Sequence, residues 1–353
     1  YEISLGLVGS EMCIRDSYST GGIAALCEYP SFDLNDVPRD DLATLFERSK
    51  SKIISTVYEP GSTFKILTSA AALDSGKVRT SDRFYCAGSK VVDGKKIRCW
   101  KSKGHGSIDF GQGVESSCNC VFMECALRMG TNSFYDYLSK FGLSAKTGVD
   151  MTGETSGIFI DRNLVKNVDL ARIGFGQAVA LTPIELAVAA SAAINGGEIV
   201  TPYLLKSATD ASGRVVKENE PVVKRRVISR ETSEKLAKIL YSVVTEGSGK
   251  GAYINGYNIG GKTGTAQKYE NGAIAQGKYI SSFIGFEKYA GCEAIALFLV
   301  DEPVGAYYGS IVAAPYVREI FEGIFSYYDV SPEITDESER IAATPFNPYE
   351  YEF

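Results

Sequence analysis

Three short strings of residues in this 353-residue chain carry side chains that could transfer an acyl group through a covalent serine ester. They are Ser62-Thr63-Phe64-Lys65, Ser117-Cys118-Asn119 and Lys262-Thr263-Gly264-Thr265. A serine supplies the nucleophile, lysine and serine side chains can carry its proton, and a lysine-threonine strand can hold an anion. The chain contains one histidine, so a Ser-His-Asp triad would have to run through His105. The three strings therefore favour a lysine-based apparatus.

The first motif lies where the sequence predicts the start of a helix. Pro60 and Gly61 break the chain just before Ser62, and an apolar, alanine-rich run continues to Leu73. Residues three apart share one helix face, so Ser62 and Lys65 can touch. The positive end of the helix dipole would also stabilise an oxyanion at this position.

Two other segments fit the same patterns, and their surroundings set them apart. Ser49-Lys50-Ser51-Lys52 fits the first motif, but its polar context predicts a solvated surface with no apolar helix behind it. Lys146-Thr147-Gly148 fits the third motif, but the neighbouring glycines predict a loop after a helix. We therefore place the candidate site at the three strings named first.

The third motif is predicted to lie on a strand and the second at a break between helices. Alternation and threonines around Lys262 predict a strand, and Gly260 and Gly261 leave room for another backbone alongside it. A substrate peptide could dock on such a sheet edge by adding a strand. Ser117 and Asn119 are two apart, which points to different faces of a regular helix, so both can face one cleft only from a turn or irregular junction.

The elements that must position these motifs predict an α+β fold: an antiparallel β-sheet flanked by helices, with a helical lobe. Helical patterns fill the middle of the chain and strand-like patterns cluster near its end, which places the cleft between the sheet edge and the helices. The predicted helices are 63–75, 120–129, 132–141, 183–195, 231–245 and 312–324. The predicted strands are 21–26, 257–267, 279–286 and 293–300.

With the motifs in this order and spacing, the chain resembles the transpeptidase domain of a penicillin-binding protein, a fold shared with serine β-lactamases. The resemblance covers residues 18–327 and is nearest to the class B group, in its cell-division and sporulation branches. Further segments that carry it are Tyr58-Glu59-Pro60-Gly61, Gly174-Phe175-Gly176-Gln177, Leu181-Thr182-Pro183, Asn195-Gly196-Gly197, Ala313-Ala314-Pro315, Cys99-Trp100 and Gly104-His105-Gly106.

The resemblance implies a peptidoglycan D,D-transpeptidase acting on stem peptides that end in D-Ala-D-Ala. Ser62 would form the acyl-enzyme, and Lys65 would take its proton once burial and the nearby cation Lys262 lower the pKa of Lys65. Ser117 would relay a proton to the leaving nitrogen, and backbone N–H groups of Ser62 and Thr265 would form the oxyanion hole. The implied substrate-binding residues are Asn119, Thr263, Gly264 and Thr265. A β-lactam, which resembles the acyl donor, would acylate Ser62 covalently.

Two other functions stay open on the same scaffold. A β-lactamase or D,D-carboxypeptidase would need a base for the deacylating water, and the Glu-x-x-Leu-Asn string typical of class A β-lactamases is absent from the sequence. A β-lactam sensor or catalytically silent scaffold would keep the fold without turnover, although three intact motifs count against silence. Class A bifunctional ancestry also stays open, while the segments around the motifs favour class B.

Composition limits the partners and the location. A formal net charge of −6 argues against nucleic acid as a partner. No cofactor and no metal are expected. Family members normally carry an N-terminal membrane anchor, and no run here approaches the roughly 18 apolar residues of a membrane span. The resemblance therefore implies a domain at the outer face of the cytoplasmic membrane, with its anchor missing, that works with a membrane-embedded glycosyltransferase and with division or sporulation proteins.

We expect three parts along the chain. Residues 1–17 do not resemble the family, and 7–16 resemble a translated sequencing-adaptor string, so we expect this segment to be non-native. Residues 18–325 form the predicted transpeptidase domain. Residues 326–353 are acidic and without clear periodicity, which predicts a tail that is disordered or laid on the surface.

Eight cysteines suit an exported domain, but their spacing does not fix any pairing. Cys86 and Cys99 flank a hairpin signal, and with a turn at Asp93-Gly94 Cys99 would lie opposite Gly88, so a Cys86–Cys99 disulfide needs a bulge or longer loop. The sequence leaves this pairing open. His105 is expected to be a loop residue, because no second histidine exists to share a metal.

Overall fold

The structure is a computed structural model, and it describes residues 10–270, 273–288 and 291–347. The strands in chain order are β1 (Ser10–Ser17), β2 (Ile23–Tyr29), β3 (Arg83–Cys86), β4 (Ser89–Val92), β5 (Lys95–Arg98), β6 (Gly106–Asp109), β7 (Ile158–Phe159), β8 (Val179–Ala180), β9 (Glu198–Val200), β10 (Ser207–Thr209), β11 (Val215–Glu218), β12 (Val223–Arg226), β13 (Ile259–Glu270), β14 (Ala273–Glu287) and β15 (Ala294–Asp301). The helices are α1 (Leu42–Arg48), α2 (Lys52–Ser55), α3 (Lys65–Asp74), α4 (Phe110–Glu115), α5 (Asn119–Phe141), α6 (Asn167–Ile173), α7 (Pro183–Ile194), α8 (Arg230–Thr245), α9 (Gly309–Val312), α10 (Ala314–Tyr327) and α11 (Asp336–Ala343). Short 3₁₀ turns lie at Gly61–Phe64 and Lys250–Ala252.

A five-stranded antiparallel sheet organises the domain, in the order β13-β14-β15-β1-β2. The register pairs Lys262 with Ile284 and Thr265 with Ser281. Strand β13, which carries the third motif, therefore lies at the edge of the sheet, as an edge-docking site requires.

Helices cover both faces of the sheet, because its central strands are apolar on both sides. Phe283 belongs to a core on one face that also contains Val317 and Phe321 of α10. Its neighbours Ile284 and Phe286 belong to the larger core on the other face, with residues of α3, α5, α7 and α8. The same division between the faces runs along β15 and explains why that strand reads as a nearly continuous apolar run.

The larger core is the helical lobe, and α7 lies in its centre. All twelve residues of α7 are buried, although Glu185 is among them. The carboxylate of Glu185 accepts hydrogen bonds from the backbone N–H of Thr182 (2.9 Å) and of Gly157 (2.8 Å), and Pro183 begins the helix at N1. A capping box thus fixes where this apolar helix starts.

The predicted α+β class and most of its elements are confirmed. Helix α5 joins the two helices predicted at 120–129 and 132–141, with a break at Gly130, where φ is 73°. The helix predicted at 312–324 is observed as α9 and α10. The expectation that no apolar helix follows Ser49 was wrong, because α2 begins at Lys52 and buries Ile53 and Ile54.

The N-terminal segment and the C-terminal tail both lie against the domain where they are described. Strand β1 pairs with β15 and β2, and the prediction that residues 1–17 are non-native stays a prediction. In the tail, the Tyr253 hydroxyl donates to the Ser338 carbonyl (2.8 Å), the Tyr257 hydroxyl donates to the Val330 carbonyl (2.9 Å), and Ile341 of α11 is buried. The described part of the tail therefore lies on the surface of the domain. Among the residues described, no helix has the length and apolar character to cross a bilayer.

Candidate active site

The turn that carries Ser62 is held on both sides before it enters α3. Gly61 has a φ of +54°, and its N–H donates to the Gly176 carbonyl at 3.0 Å. The Thr63 hydroxyl donates to the Pro60 carbonyl at 2.7 Å. The 3₁₀ turn at Gly61–Phe64 runs directly into α3, so the first motif lies at a helix start as predicted.

Gly176 explains why the segment around it belongs to the site. Its φ is +85°, and a Cβ atom there would lie 1.9 Å from the Gly61 carbonyl oxygen and 2.8 Å from Phe64 Cβ. Only glycine combines this backbone conformation with so close an approach. The segment 174–177 is therefore a support under the serine turn.

Lys65 is fully buried and joins the first two motifs. Its Nζ lies 2.9 Å from Ser62 Oγ, 3.0 Å from Ser117 Oγ, 2.7 Å from the Ser117 carbonyl oxygen and 2.8 Å from Asn119 Oδ1. The Asn119 amide nitrogen lies 3.4 Å from the Arg98 carbonyl, which is consistent with its oxygen facing Lys65. Side chains more than fifty residues apart thus meet around one amine.

The hydrogen-bonding capacity of these partners constrains the protonation state in which Lys65 can act. The Ser117 carbonyl and Asn119 Oδ1 are acceptors only, so they take two N–H donors from Lys65. A neutral amine then has a lone pair left for the hydrogen of a hydroxyl, whereas an ammonium has a third N–H. Burial lowers the pKa of Lys65 to about 8, which makes the neutral form accessible near neutral pH.

The second motif lies at an irregular junction, as its spacing predicted. Helix α4 ends before Ser117, α5 begins at Asn119, and Ser117 has a left-handed backbone with a φ of +52°. The Trp100 indole N–H lies 3.1 Å from the carbonyl oxygens of both Ser116 and Ser117. The indole thus holds the junction in a conformation that a non-glycine residue rarely adopts.

The third motif brings β13 against the serine turn. A Cβ atom on Gly264 would lie 2.4 Å from Ser282 Oγ and 3.0 Å from Thr63 Cγ2, so a side chain here would have to displace Ser282 or Thr63. Lys262 is buried, and its Nζ lies 3.2 Å from Thr263 Oγ1. Thr265 Oγ1 accepts a hydrogen bond from the Gly309 N–H at 3.1 Å. Gly264 therefore sets how closely the strand approaches Ser62.

These motifs line one cleft of about 880 Å³ between the edge strand and the helical lobe. Of the predicted site residues, those among the cleft-lining side chains are Ser62, Ser117, Asn119, Thr263 and Thr265. The buried Lys65 lies behind them, where it contacts Ser62 and Asn119. Their meeting in one place is what a shared chemical role requires.

Glu59 also lines this cleft and was missed as a site residue. Its Oε1 accepts a hydrogen bond from the Ala178 N–H (2.9 Å), and Ala178 has a φ of +58°. Burial raises the pKa of the Glu59 carboxyl to about 7. Its place directly before Pro60 and Gly61 was the signal available in the sequence.

Four side chains beside the second motif form a cluster that the sequence analysis did not foresee. The ligand atoms of Cys86, Cys99, His105 and Cys118 all lie within 4.8 Å of one another. The hairpin places Cys99 opposite Gly88 as predicted, but Cys86 and Cys99 are free thiols, so the disulfide we considered is not formed.

Comparison with known proteins identifies the family to which a chain with this sheet, helical lobe and cleft belongs. Residues 17–322 match the penicillin binding protein transpeptidase domain, and the chain belongs to that family. The match begins at residue 17, which is the last residue of the segment that we expected to be non-native.

Curated relatives place the chain more closely within the family. It is 41% identical over 315 residues to stage V sporulation protein D of Bacillus subtilis, covering 88% of this chain and 48% of that protein. It is 29% identical over 352 residues to the peptidoglycan D,D-transpeptidase FtsI homolog of Mesostigma viride, covering 91% of this chain and 57% of that protein. The chain thus spans about half the length of these relatives.

Solved structures share the fold. The transpeptidase domain of Burkholderia pseudomallei penicillin-binding protein 3 superposes with a TM-score of 0.78 at 24% identity, covering 92% of this chain and 90% of that chain. Penicillin-binding protein 3 of Mycobacterium tuberculosis, complexed with ampicillin, gives a TM-score of 0.84 at 24% identity, covering 93% and 74%.

Proposed function

We propose that this chain is a peptidoglycan D,D-transpeptidase domain that forms an acyl-enzyme on Ser62. The observation that carries the proposal is the 2.9 Å contact between Ser62 Oγ and the buried Lys65 Nζ, at a helix start that faces the cleft. Membership of the transpeptidase family and the names of the relatives support the same reaction.

In the first half-reaction, neutral Lys65 accepts the Ser62 proton while its own N–H groups hold Ser117 and Asn119. The Ser62 oxygen attacks the penultimate carbonyl of a stem peptide ending in D-Ala-D-Ala. Backbone N–H groups of Ser62 and Thr265 stabilise the oxyanion, a contribution of about 3 kcal/mol per donor in other enzymes. The peptide C–N bond then breaks, and the proton passes from Lys65 through Ser117 to the departing D-alanine.

In the second half-reaction, an amine of a neighbouring stem peptide attacks the Ser62 ester and forms the crosslink. The amine loses its proton along the same route, and Ser62 recovers its hydrogen. Thr263 and Thr265, which line the cleft, bind the terminal carboxylate of the donor, and the buried Lys262 beside Thr263 supplies positive charge. Gly264 contributes by admitting the strand so close to the serine turn.

The position of β13 supports a peptide as the substrate. The strand lies at the edge of the sheet, and its threonines line the cleft. An extended stem peptide can add to this edge through main-chain hydrogen bonds. We accordingly place the domain at the outer face of the cytoplasmic membrane, where peptidoglycan is assembled, beside a membrane-embedded glycosyltransferase and division or sporulation proteins.

Incubation with a fluorescent penicillin tests the acyl-enzyme directly. We expect one covalent adduct, located on Ser62 by peptide mass spectrometry, and none in the Ser62→Ala variant, because the β-lactam carbonyl takes the place of the peptide carbonyl. An adduct on another residue, or an equal amount in Ser62→Ala, would contradict the proposal.

The lifetime of the adduct and the formation of crosslinked product together separate the transpeptidase from the two alternatives. A long-lived ester is expected, since deacylation by water needs a base aimed at that water. Rapid loss would identify a hydrolase, with the half-buried Glu59 carboxyl that lines the cleft as the first group to test. A stable adduct without crosslinked product from D-Ala-D-Ala stem peptides would identify a sensor.

The rate of acylation is expected to rise with pH and level off above about pH 8. Lys65 must be neutral to accept the proton, and its pKa is lowered to about 8, so the neutral fraction increases about tenfold per pH unit below that value. Stopped-flow acylation by penicillin between pH 6 and 9 measures this limb. A flat profile would mean that Lys65 is not the titrating base.

A further inference from the structure

We propose that Cys86, Cys99, His105 and Cys118 form a structural zinc site that holds the second active-site motif in place. This site is independent of the reaction proposed above, because none of the four side chains takes part in acyl transfer. It also revises our expectation that His105 is an ordinary loop residue and that the chain holds no metal.

The distances within the cluster suit a tetrahedral metal centre. Cys99 Sγ lies 4.0 Å from Cys118 Sγ and 3.8 Å from His105 Nδ1. Zinc–sulfur bonds of about 2.3 Å and zinc–nitrogen bonds of about 2.0 Å at tetrahedral angles require ligand atoms about 3.5–3.8 Å apart. The sulfurs of Cys99 and Cys118 are thus not bonded to each other, and their separation is close to the one that a shared ion imposes.

Burial and an unpaired nitrogen set this cluster apart from ordinary buried thiols. The three cysteines are buried, and His105 Nε2 is a buried nitrogen that has no hydrogen-bond partner among the described residues. Buried polar atoms are normally paired, so an unpaired imidazole nitrogen beside three thiols needs an explanation. No described group holds the ring through Nε2, and coordination through Nδ1, which lies 3.8 Å from Cys99 Sγ, would fix the imidazole in place.

The backbone around the cluster is built to bring the ligands together. Strands β3 and β6 pair Cys86 with Gly106, which places His105 next to Cys86. The loop between Cys99 and His105 is closed tightly, because a Cβ atom on Gly104 would lie 2.2 Å from the Cys86 carbonyl oxygen. The cysteine of the second motif then comes from the other side, at the junction before α5.

Three thiolates and one imidazole form a ligand set typical of structural zinc, with no open position for a substrate. Binding forms three zinc–sulfur bonds and one zinc–nitrogen bond, and the three thiols release three protons. Because Cys118 lies between Ser117 and Asn119, the ion would tie both of these Lys65 partners to the β3–β6 ribbon. It would thereby stabilise the left-handed Ser117 backbone.

Metal analysis of the purified, reduced protein tests the site. We expect one zinc ion per chain in the wild type. In Cys86→Ser and His105→Ala the affinity for zinc should fall by more than the roughly 10–100-fold that loss of an outer-shell partner costs. Cys125→Ser is the matched control, because Cys125 is a buried thiol outside the cluster, and this variant should keep its zinc. No zinc in the reconstituted wild type, or equal retention in both cluster variants, would overturn the proposal.

Two further measurements define the ligands and separate this site from catalysis. Replacement of zinc by cobalt should give a thiolate-to-metal charge-transfer band and the visible bands of tetrahedral cobalt, both lost in His105→Ala. Cys120 packs beside the same sulfurs, so loss of metal in Cys120→Ser with retention in His105→Ala would refute the assigned set. Ser62→Ala should bind zinc normally, which keeps a failure of the acylation chemistry distinct from a failure of the metal site.

Discussion

Replacing Lys65 with alanine is expected to slow acylation of Ser62 by roughly 10²–10⁴-fold, which corresponds to about 3–5 kcal/mol of activation free energy. The variant loses the amine that lies 2.9 Å from Ser62 Oγ. It also leaves the Ser117 carbonyl and Asn119 Oδ1 without the N–H groups that they accept. Single-turnover labelling with penicillin, with folding checked by circular dichroism, measures the effect.

Lys65→Arg separates a base from a mere positive charge at this position. Arginine keeps the cation and its N–H donors, but it does not lose a proton in proteins, so it cannot accept one from Ser62. We expect this variant to be about as slow as the alanine variant and to lose the rise in rate with pH. Acylation by Lys65→Arg at the wild-type rate would show that Lys65 acts through charge alone.

The first and third motifs could be predicted from the sequence because each depends on local chain chemistry. A Pro-Gly break before an apolar run fixes a helix start, and three-residue spacing then puts Ser62 and Lys65 together. Alternation with threonines and glycines likewise identified β13. The spacing of Ser117 and Asn119 predicted an irregular junction, although nothing local gave the sign of φ at Ser117.

The cysteine cluster could not be predicted because its order in the chain hides its arrangement in space. Its four ligands come from the end of β3, the end of the β4–β5 hairpin, a loop and the α4–α5 junction. Twelve, five and twelve residues separate them along the chain, which is unlike the short cysteine pairs that mark zinc sites in sequence. Only the strand pairing of Cys86 with Gly106 brings the histidine into reach.

The support that Gly176 gives to the serine turn was equally hidden, since its contact with Gly61 joins segments more than a hundred residues apart. Such a contact depends on tertiary packing, so no local pattern reports it. The tail helix α11 is a different case, because its start is marked locally by the Thr335 cap and an acidic first turn. Its docking against Tyr253 and the burial of Ile341 then depend on tertiary packing.

Gly176→Ala is therefore expected to destabilise the fold and to damage the site together. The added methyl group would lie 1.9 Å from the Gly61 carbonyl oxygen, and the φ of +85° is unfavourable for alanine. Left-handed strain of about 1–2 kcal/mol and overpacking of about 1–3 kcal/mol together lower the free energy of unfolding by about 2–5 kcal/mol. Urea denaturation of the wild type and the variant measures this difference.

The matched control is Gly153→Ala, because Gly153 has a φ of +89° and no heavy atom within 4 Å of the added Cβ. This variant carries the backbone strain without the clash, so it should lose only about 1–2 kcal/mol and acylate normally. In folded Gly176→Ala, relief of the clash must move the Gly61 carbonyl, which is bonded to the Ser62 nitrogen. A displacement of about 1 Å in a reacting group can cost about 10²-fold in rate, and penicillin labelling should fall by that order. Equal stability and equal labelling of the two variants would mean that the serine turn does not depend on this contact.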